Sequence, residues 1–455
     1  MLLAVATFVS IVFGVWAMRV IFRKKRKPLE MSDGWWTSRD RPAVEDDEIR
    51  PFAISIQEED LLDLKGRLSK TRWIAEFEDG RWSYGANLDY MKNLINYWQN
   101  EFDWHKQESI LNQYDHFVTN IEGLDVHYIK VCPTDTNLRL KAKPLLMIHG
   151  WPGSFFEFYK IMPFLVDPLN HGGTEGDAFE VVCPSIPGYG FSQSAEKQGL
   201  DIVVVARIFG KLMARLGFKS YFVQGGDWGS SVATTMANID KHHVRGIHLN
   251  LYITLDSRFA FVRAFLSGLF PRLFGWLLKD SERKVFKPTF FDVMKKVLNG
   301  MGYFLLQSTK PHTPAYALND SPAGLAAYIA EKFSSWSDGD EDQLVPFDDL
   351  LTNISIYWFT QTIGSSMRFY KENLTSRQAR KASRMSVEVP TALATFPGEF
   401  FHVPVTWVHG HFPNIVQITE MPRGGHFAAM EEPELLAKDV RKFCQKIKEG
   451  QSNFE

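Results

Sequence analysis

The residues best suited to covalent chemistry lie at 225–230, with the sequence Gly-Gly-Asp-Trp-Gly-Ser. This segment stands between a short apolar run, 221–224, and a stretch of helical character, 231–237. Small residues around one reactive side chain, between a strand and a helix, are the pattern of a nucleophile elbow, whose sharp turn lifts the central side chain above the sheet. That central residue, Asp227, is ionised at neutral pH and needs no base to remove a proton before it attacks. The pattern predicts Asp227 as a nucleophile; the alternative is a glycine-rich turn with an exposed carboxylate.

A histidine suited to work with this nucleophile lies close to the carboxyl end of the chain. In an α/β-hydrolase core the order along the chain is nucleophile, acid and then histidine. His426 follows two glycines, after the last strand signal and before the last helix signal, which is where that histidine belongs. We therefore predict His426 as the base; the alternative is a capped histidine on the surface.

The acid that would orient His426 is less well defined. Glu399 lies in a loop after a returning strand, whereas Asp348 and Asp349 lie in a helical block and Glu420 is nearest to the histidine in sequence. The residues alone favour Glu399 and leave the other three open.

A second loop could stabilise an oxyanion. Residues 149–153, His-Gly-Trp-Pro-Gly, end another apolar run. The backbone N–H groups of such a loop and of the residue after the nucleophile form an oxyanion hole in this class of enzyme. The prediction is that Trp151 and Trp228 donate through their backbones, and that His149 shapes the loop without taking part in catalysis.

These residues need a sheet to bring them together. Apolar runs typical of strands lie at 116–121, 126–131, 144–148, 179–183, 221–224 and 244–249. The first two form a hairpin, and a helical segment at 202–216 separates later strands. This alternation predicts a mostly parallel sheet with helices on both faces. With the elbow and the order of the candidate triad, it indicates an α/β-hydrolase core.

The second half of the chain changes character. Residues 252–389 are dominated by helical patterns, and strand signals return at 391–396 and 415–419 before a final helix. A helical block between two parts of one α/β core is interpreted as a lid. The division is therefore a first core part, 116–251, a lid, 252–389, and a second core part, 390–455.

The first residues predict a membrane anchor. Leu2 to Phe22 is mainly apolar and carries no charge except Arg19, and a helix of that length would be about 31 Å long, enough to cross a bilayer. Five basic residues, 23–27, follow it, which places the remainder of the chain on the cytoplasmic side. A cleaved signal peptide would carry its positive charge before the apolar stretch. We predict a single transmembrane helix within residues 1–27.

Between the anchor and the core, residues 28–115 are predicted to form a linker and a helical arm. Ser55 to Glu58 has the pattern of a capping box at the start of that arm. Trp35 and Trp36 could lie at the lipid headgroups or pack on the globular body.

Composition excludes several classes of function. A formal net charge of −2 argues against nucleic acid as a partner, which would require a basic surface. The cysteines, Cys132, Cys183 and Cys444, have no metal-ligand spacing and do not form an even set, which indicates reduced thiols.

Taken together, the motifs resemble those of the microsomal epoxide hydrolases. The basic-flanked anchor, the segments 33–36, 149–153 and 225–230, and the sequence Arg-Gly-Gly-His-Phe-Ala-Ala at 423–429 occur in the same order. The resemblance covers essentially the whole chain and implies an α/β-hydrolase fold that converts lipophilic epoxides, including xenobiotic arene and alkene oxides, to vicinal diols. It also implies an endoplasmic reticulum membrane location, no cofactor and no metal.

The resemblance further assigns individual residues. It implies Asp227 as nucleophile, Glu399 as charge partner and His426 as base. It also implies that Tyr303 and Tyr370 hold the epoxide oxygen, although their local sequence indicates only core aromatics.

Other readings remain at this point. Insect juvenile hormone epoxide hydrolases share the architecture, so the substrate is open. A haloalkane dehalogenase also uses an Asp followed by Trp, but lacks paired lid tyrosines. A catalytically silent, membrane-tethered binding protein is a third alternative.

Overall fold

A computed structural model describes residues 33–78, 80–252, 258–286, 290–339 and 345–451, together with Leu29. Within these ranges no helix combines the length and the apolar character needed to cross a bilayer. The predicted anchor, 1–27, lies outside the described residues.

One sheet organises the described part of the chain. Its nine strands are β1 (Ile49–Phe52), β2 (Asp115–Ile121), β3 (Leu124–Val131), β4 (Lys143–Ile148), β5 (Phe179–Pro184), β6 (Tyr221–Gly225), β7 (Val244–Leu249), β8 (Thr391–Thr395) and β9 (Ile415–Glu420). They are arranged in the order β1-β2-β3-β5-β4-β6-β7-β8-β9. The pairs from β1 to β5 are antiparallel, and those from β5 through β4 to β9 are parallel. The predicted mostly parallel sheet is confirmed.

Helices precede, connect and cover the strands. Up to β7 they are α1 (Glu58–Leu68), α2 (Leu88–Asn100), α3 (Trp104–Leu111), α4 (Thr136–Lys141), α5 (Met162–Val166), α6 (Ile202–Arg215) and α7 (Asp227–Ile239). Between β7 and β8 lie α8 (Arg258–Leu269), α9 (Pro271–Phe274), α10 (Asp280–Val285), α11 (Phe290–Gly300), α12 (Gly302–Thr309), α13 (His312–Asp320), α14 (Pro322–Trp336), α15 (Phe347–Thr360), α16 (Ile363–Thr375) and α17 (Arg377–Ala382). After β8 come α18 (Val405–Val408), α19 (Ala428–Glu431) and α20 (Pro433–Gln451).

The central strands are buried because protein covers both faces of the sheet. Every residue of β6 is buried, and Leu145 to Ile148 of β4 are at most 1% exposed. A parallel strand covered on both faces has a continuous apolar sequence, which is the pattern that identified these strands. Helix α7 packs on β4, β6 and β7, and α20 packs on β7 and β9.

The helices between β7 and β8 also contact the helices that precede the hairpin. Helix α14 packs on α1 and α2, and α15 packs on α2 and α3. The arm therefore supports the helical segment that the sequence analysis interpreted as a lid.

Two local expectations for the arm need correction or completion. Helix α1 begins at Glu58 with Gln57 at its N-cap and no side-chain cap, so the predicted capping box is wrong. Strand β1 was not predicted, since Ile-Arg-Pro-Phe is short and contains proline, which sheets accept at an edge.

The adjacent tryptophans lie on the globular body. The indole N–H of Trp36 donates to Oε2 of Glu122 at 2.9 Å, and its backbone N–H donates to the Glu122 carbonyl at 3.1 Å. The guanidinium of Arg207 donates twice to the same carboxylate, at 2.7 Å each. Glu122 thus joins the segment around Trp36 to helix α6.

Candidate active site

A sharp turn between β6 and α7 presents Asp227. Its φ is 45°, a left-handed conformation that is unusual for a residue with a side chain. The flanking glycines make this turn possible because a Cβ at Gly229 would lie 1.9 Å from the carbonyl oxygen of Ile148. A Cβ at Gly225 would lie 2.5 Å from the backbone of Gly229. The geometry is that of a nucleophile elbow.

Backbone donors surround the carboxylate of Asp227. The N–H of Trp151 donates to its Oδ1 at 2.8 Å, and the N–H of Trp228 is a second backbone donor to the same carboxylate. Burial raises the pKa of Asp227, while the His426 charge and these two N–H groups oppose the rise. The two amides predicted for an oxyanion hole therefore converge on one carboxylate.

His426 lies between two acidic side chains. Its Nδ1 is 2.8 Å from Oε1 of Glu399, and its Nε2 is 3.8 Å from Oδ2 of Asp227. Burial alone would lower the pKa of His426, but the charge and hydrogen bond of Glu399, with the charge of Asp227, raise it to about 9. Before any substrate reacts, His426 is therefore protonated at neutral pH.

The other three acids considered for this role lie elsewhere. Asp348 accepts a hydrogen bond from the Tyr97 hydroxyl, Asp349 pairs with Lys160, and Glu420 is exposed beside Lys284. Of the four acidic residues, Glu399 is the one that contacts His426.

The two tyrosines lie above the elbow, on helices α12 and α16. The ring of Tyr303 stacks on Trp151 with centroids 5.2 Å apart and an angle of 8°. Tyr370 meets Trp228 edge to face at 4.9 Å, and the two tyrosine rings are 5.9 Å apart. Burial first, and then nearby groups that include Asp227, raise the pKa of both phenols well above the usual value.

Both tyrosines are therefore protonated and can donate hydrogen bonds. The Tyr370 hydroxyl is buried, and no group among the described residues forms a well-aligned hydrogen bond with it. A buried donor of this kind is costly unless another molecule accepts its proton. A bound substrate oxygen could do so.

Helix α15 holds the loop that carries Trp151. The side-chain amide of Asn353 donates to the carbonyl of Pro152 at 2.8 Å, and the hydroxyl of Tyr357 donates to the carbonyl of Gly153 at 2.7 Å. The sequence analysis missed both residues, because apolar neighbours in a helix give no signal of a polar contact some 200 positions away.

His149, at the start of the same loop, contacts the backbone after β5. Its Nε2 accepts a hydrogen bond from the N–H of Ile186 at 3.1 Å. Burial lowers the pKa of His149 to about 4, so this histidine is neutral and structural.

The last residue of α14, Trp336, and the residues after it are joined to the loop that carries His426. The backbone N–H of His426 donates to the carbonyl of Trp336 at 2.8 Å, and that of Gly424 donates to Oδ2 of Asp338 at 2.8 Å. A Cβ at Gly425 would lie 2.5 Å from the Trp336 carbonyl oxygen, so only glycine fits there. The Trp336 ring also meets the His426 ring edge to face at 5.0 Å.

Comparison with known proteins identifies the family. Residues 49–158 match the epoxide hydrolase N terminus and residues 143–433 match the alpha/beta hydrolase fold. Epoxide hydrolase 1 of Sus scrofa is 49% identical over 93% of this chain and 94% of its own length. The chain belongs to the microsomal-type epoxide hydrolases. It is an enzyme, an epoxide hydrolase.

Solved structures agree with the fold of this epoxide hydrolase. The crystal structure of juvenile hormone epoxide hydrolase from Bombyx mori is 36% identical, covers 93% of this chain and 100% of its own, and has a TM-score of 0.84. The Aspergillus niger epoxide hydrolase is 28% identical, covers 89% of this chain and 98% of its own, and has a TM-score of 0.74. The α/β-hydrolase core with helical insertions is therefore confirmed.

Proposed function

We propose that this enzyme converts lipophilic epoxides to vicinal diols in two steps, through an ester on Asp227. The observation that carries the proposal is the position of the Asp227 carboxylate. It lies on an elbow, with one oxygen bound by the Trp151 amide and the other 3.8 Å from Nε2 of His426. An ionised carboxylate at that position attacks a carbon without prior deprotonation.

In the first step an oxygen of Asp227 forms a bond to one epoxide carbon. The carbon–oxygen bond of the ring breaks, and its electron pair moves to the epoxide oxygen. Tyr303 and Tyr370 donate hydrogen bonds to that oxygen as its charge develops, and one of the phenols gives it a proton. The result is a hydroxyalkyl ester and one tyrosinate.

Ester formation removes the negative charge of Asp227. Because that charge helps to keep His426 protonated, its loss lowers the pKa of His426, which releases one proton to the solvent and becomes the neutral imidazole. Neutral His426, oriented by Glu399, is the base that the second step requires.

In the second step His426 takes one proton from water while the water oxygen attacks Cγ of Asp227. The Trp151 and Trp228 amides stabilise the tetrahedral oxyanion. Collapse expels the diol oxygen, which takes the proton from His426, and leaves Asp227 as a carboxylic acid. Transfer of the acid proton to the tyrosinate restores both groups. His426 takes up one proton from the solvent once the negative charge of Asp227 has returned, which restores the resting enzyme.

A single turnover in ¹⁸O-water tests the covalent step. The diol should take its new oxygen from the unlabelled Asp227 carboxylate, and the label should enter the protein. His426→Ala should open the epoxide and stall, so that the intact mass of the protein rises by the mass of one substrate. Labelled diol with an unlabelled Asp227 would instead indicate direct attack by water and would overturn the proposal.

The surroundings of the site support lipophilic substrates. Besides the two tyrosines, aromatic rings near the elbow belong to Trp151, Trp228, Trp336, Phe369 and Phe400. A pocket lined by aromatic rings binds apolar groups, and lipophilic epoxides partition into membranes. We accordingly propose a single-pass anchor within residues 1–27 in the endoplasmic reticulum membrane, with the catalytic domain facing the cytosol.

The same proposal assigns the parts of the chain. Residues 28–115 serve as linker and supporting arm, 116–251 and 390–455 form the core, and 252–389 form the lid that supplies both tyrosines. A panel of aryl, alkyl and lipid epoxides, scored by diol formation, tests the substrate class. The same panel should include chloroalkanes, because release of halide would support a dehalogenase and diol formation alone would exclude one.

A further inference from the structure

A small cavity adjoins the reacting groups. Its volume is about 20 Å³, and its lining includes Gly150, Glu157, Asp227, Asn250 and His426. A polar cavity of about 10–15 Å³ is large enough to hold one water molecule. The space is therefore suited to one water, beside the carboxylate to be attacked and the histidine that would deprotonate the water.

Besides Asp227, Glu157 is the one carboxyl group among these five residues, and the mechanism above gives it no role. It lies in a short 3-10 turn, Phe155–Phe158, directly after the loop that carries Trp151. No group among the described residues forms a hydrogen bond with its carboxyl. Its side chain retains accessible surface, and the cavity is one of the spaces that it faces.

Two glycines of one loop make room for two carboxyl groups. A Cβ at Gly150 would lie 2.3 Å from Oδ1 of Asp227, and a Cβ at Gly153 would lie 1.3 Å from Oε1 of Glu157. Gly153 has no positive φ, so its backbone does not require glycine. A side chain at position 153 would therefore have to displace the Glu157 carboxyl from this space.

The charge state suits a hydrogen-bonding role. Burial, and then the Asp227 charge, raise the pKa of Glu157 to about 8, although His426 opposes the rise. The carboxyl is therefore mostly neutral at pH 7 and does not add a second anion beside the nucleophile.

We propose that Glu157 positions the hydrolytic water, by accepting a hydrogen bond from the O–H that does not face His426. Water held between Nε2 of His426 and the Glu157 carboxyl would direct a lone pair of its oxygen towards Cγ of Asp227. Glu157 takes no proton in this step, which passes one proton from water to His426. The inference rests on the proposed ester mechanism and concerns only its second step.

Rapid-quench and single-turnover kinetics of the full chain separate the two steps. Glu157→Leu should slow ester hydrolysis by about tenfold, because tenfold in rate corresponds to about 1.4 kcal/mol, the size of one lost hydrogen bond. Its rate of ring opening should stay at the wild-type value, which also shows that the fold and the elbow are intact. Glu157→Gln keeps an acceptor oxygen of similar reach and should stay within about threefold of wild type.

Gly153→Ala provides a second test that leaves Glu157 in place. The added methyl group would occupy the position of the carboxyl and displace it, so ester hydrolysis should slow as in Glu157→Leu. Ester hydrolysis at the wild-type rate in both Glu157→Leu and Gly153→Ala would overturn the inference. So would a Gln variant as slow as the Leu variant, because that result would require an ionised carboxylate.

The test also distinguishes this inference from the underlying mechanism. If the ester mechanism is wrong, His426→Ala accumulates no adduct on Asp227. If only the role of Glu157 is wrong, the His426→Ala adduct forms while the Glu157 and Gly153 variants hydrolyse their esters normally.

Discussion

The charge on Asp227 controls the protonation of His426, and a single substitution can measure that control. Asp227→Asn removes the charge with little change in shape, as ester formation would. At 3.8 Å between Nε2 and Oδ2, an effective dielectric constant of about 20 gives an interaction of about 4 kcal/mol, or about three pKa units, as an upper limit. Glu399 still contributes to the high pKa of His426, so we expect a fall of about one to three units from the value of about 9.

NMR of protein with labelled imidazoles measures this change directly. The chain has 13 histidines, and the His426 signal is assigned by its loss in His426→Gln. Mass spectrometry of the intact protein checks that the introduced amide persists through the titration.

A second buried pair in this fold supplies the matched control. Nε2 of His248 lies 2.9 Å from Oδ2 of Asp439, on β7 and α20. Asp439→Asn removes a charge of the same kind and should leave the pKa of His426 near 9. If His426 still titrates near 9 in Asp227→Asn, the ester does not switch the histidine to its neutral form, and the sequence of protonation states proposed above is wrong.

Three further changes have defined outcomes. Phe substitution at Tyr303 or Tyr370 should slow pre-steady-state ester formation, since each oxyanion-type donor contributes about 2.7–4 kcal/mol. The double substitution should nearly abolish ester formation. Ester formation at the wild-type rate in the double variant would exclude a role for the two tyrosines. Deletion of residues 1–27 should release the protein from membranes washed with alkaline carbonate while diol formation continues, whereas a truncated protein that still pellets would contradict a single anchor. Glu122→Ala leaves the buried Arg207 guanidinium unpaired and should lower the free energy of unfolding by about 3–5 kcal/mol in chemical denaturation, and a loss below about 1 kcal/mol would contradict the importance assigned to this contact.

Local signals in the sequence predicted the elbow and the strands around it. The glycines beside Asp227 have a direct steric cause, and the run before them matches β6 because a strand covered on both faces is mostly apolar, with Gln224 as the polar exception. The position of the helix that follows was equally predictable. These features depend on residues within a few positions of one another.

Features that depend on distant contacts were not predictable in this way. Nothing in the sequence around Tyr303 and Tyr370 distinguishes them from core aromatics, and only the family resemblance singled them out. Asn353 reaches the loop at Pro152 across 201 positions, and no periodicity reports such a contact. Glu157 was missed for a related reason, because its significance depends on the space above Gly153.

The hydrogen bonds between residues 336–338, at the end of α14, and the His426 loop have a consequence for protein engineering. A lid exchanged between relatives by cutting only at the ends of β7 and β8 would replace Trp336 and Asp338, but would keep Gly424 to His426 from the recipient. The donor backbone at 336–338 would then have to fit against glycines selected with a different partner. Chimeras that transfer the two segments together should place His426 correctly, so these two stretches of chain must be exchanged as a pair.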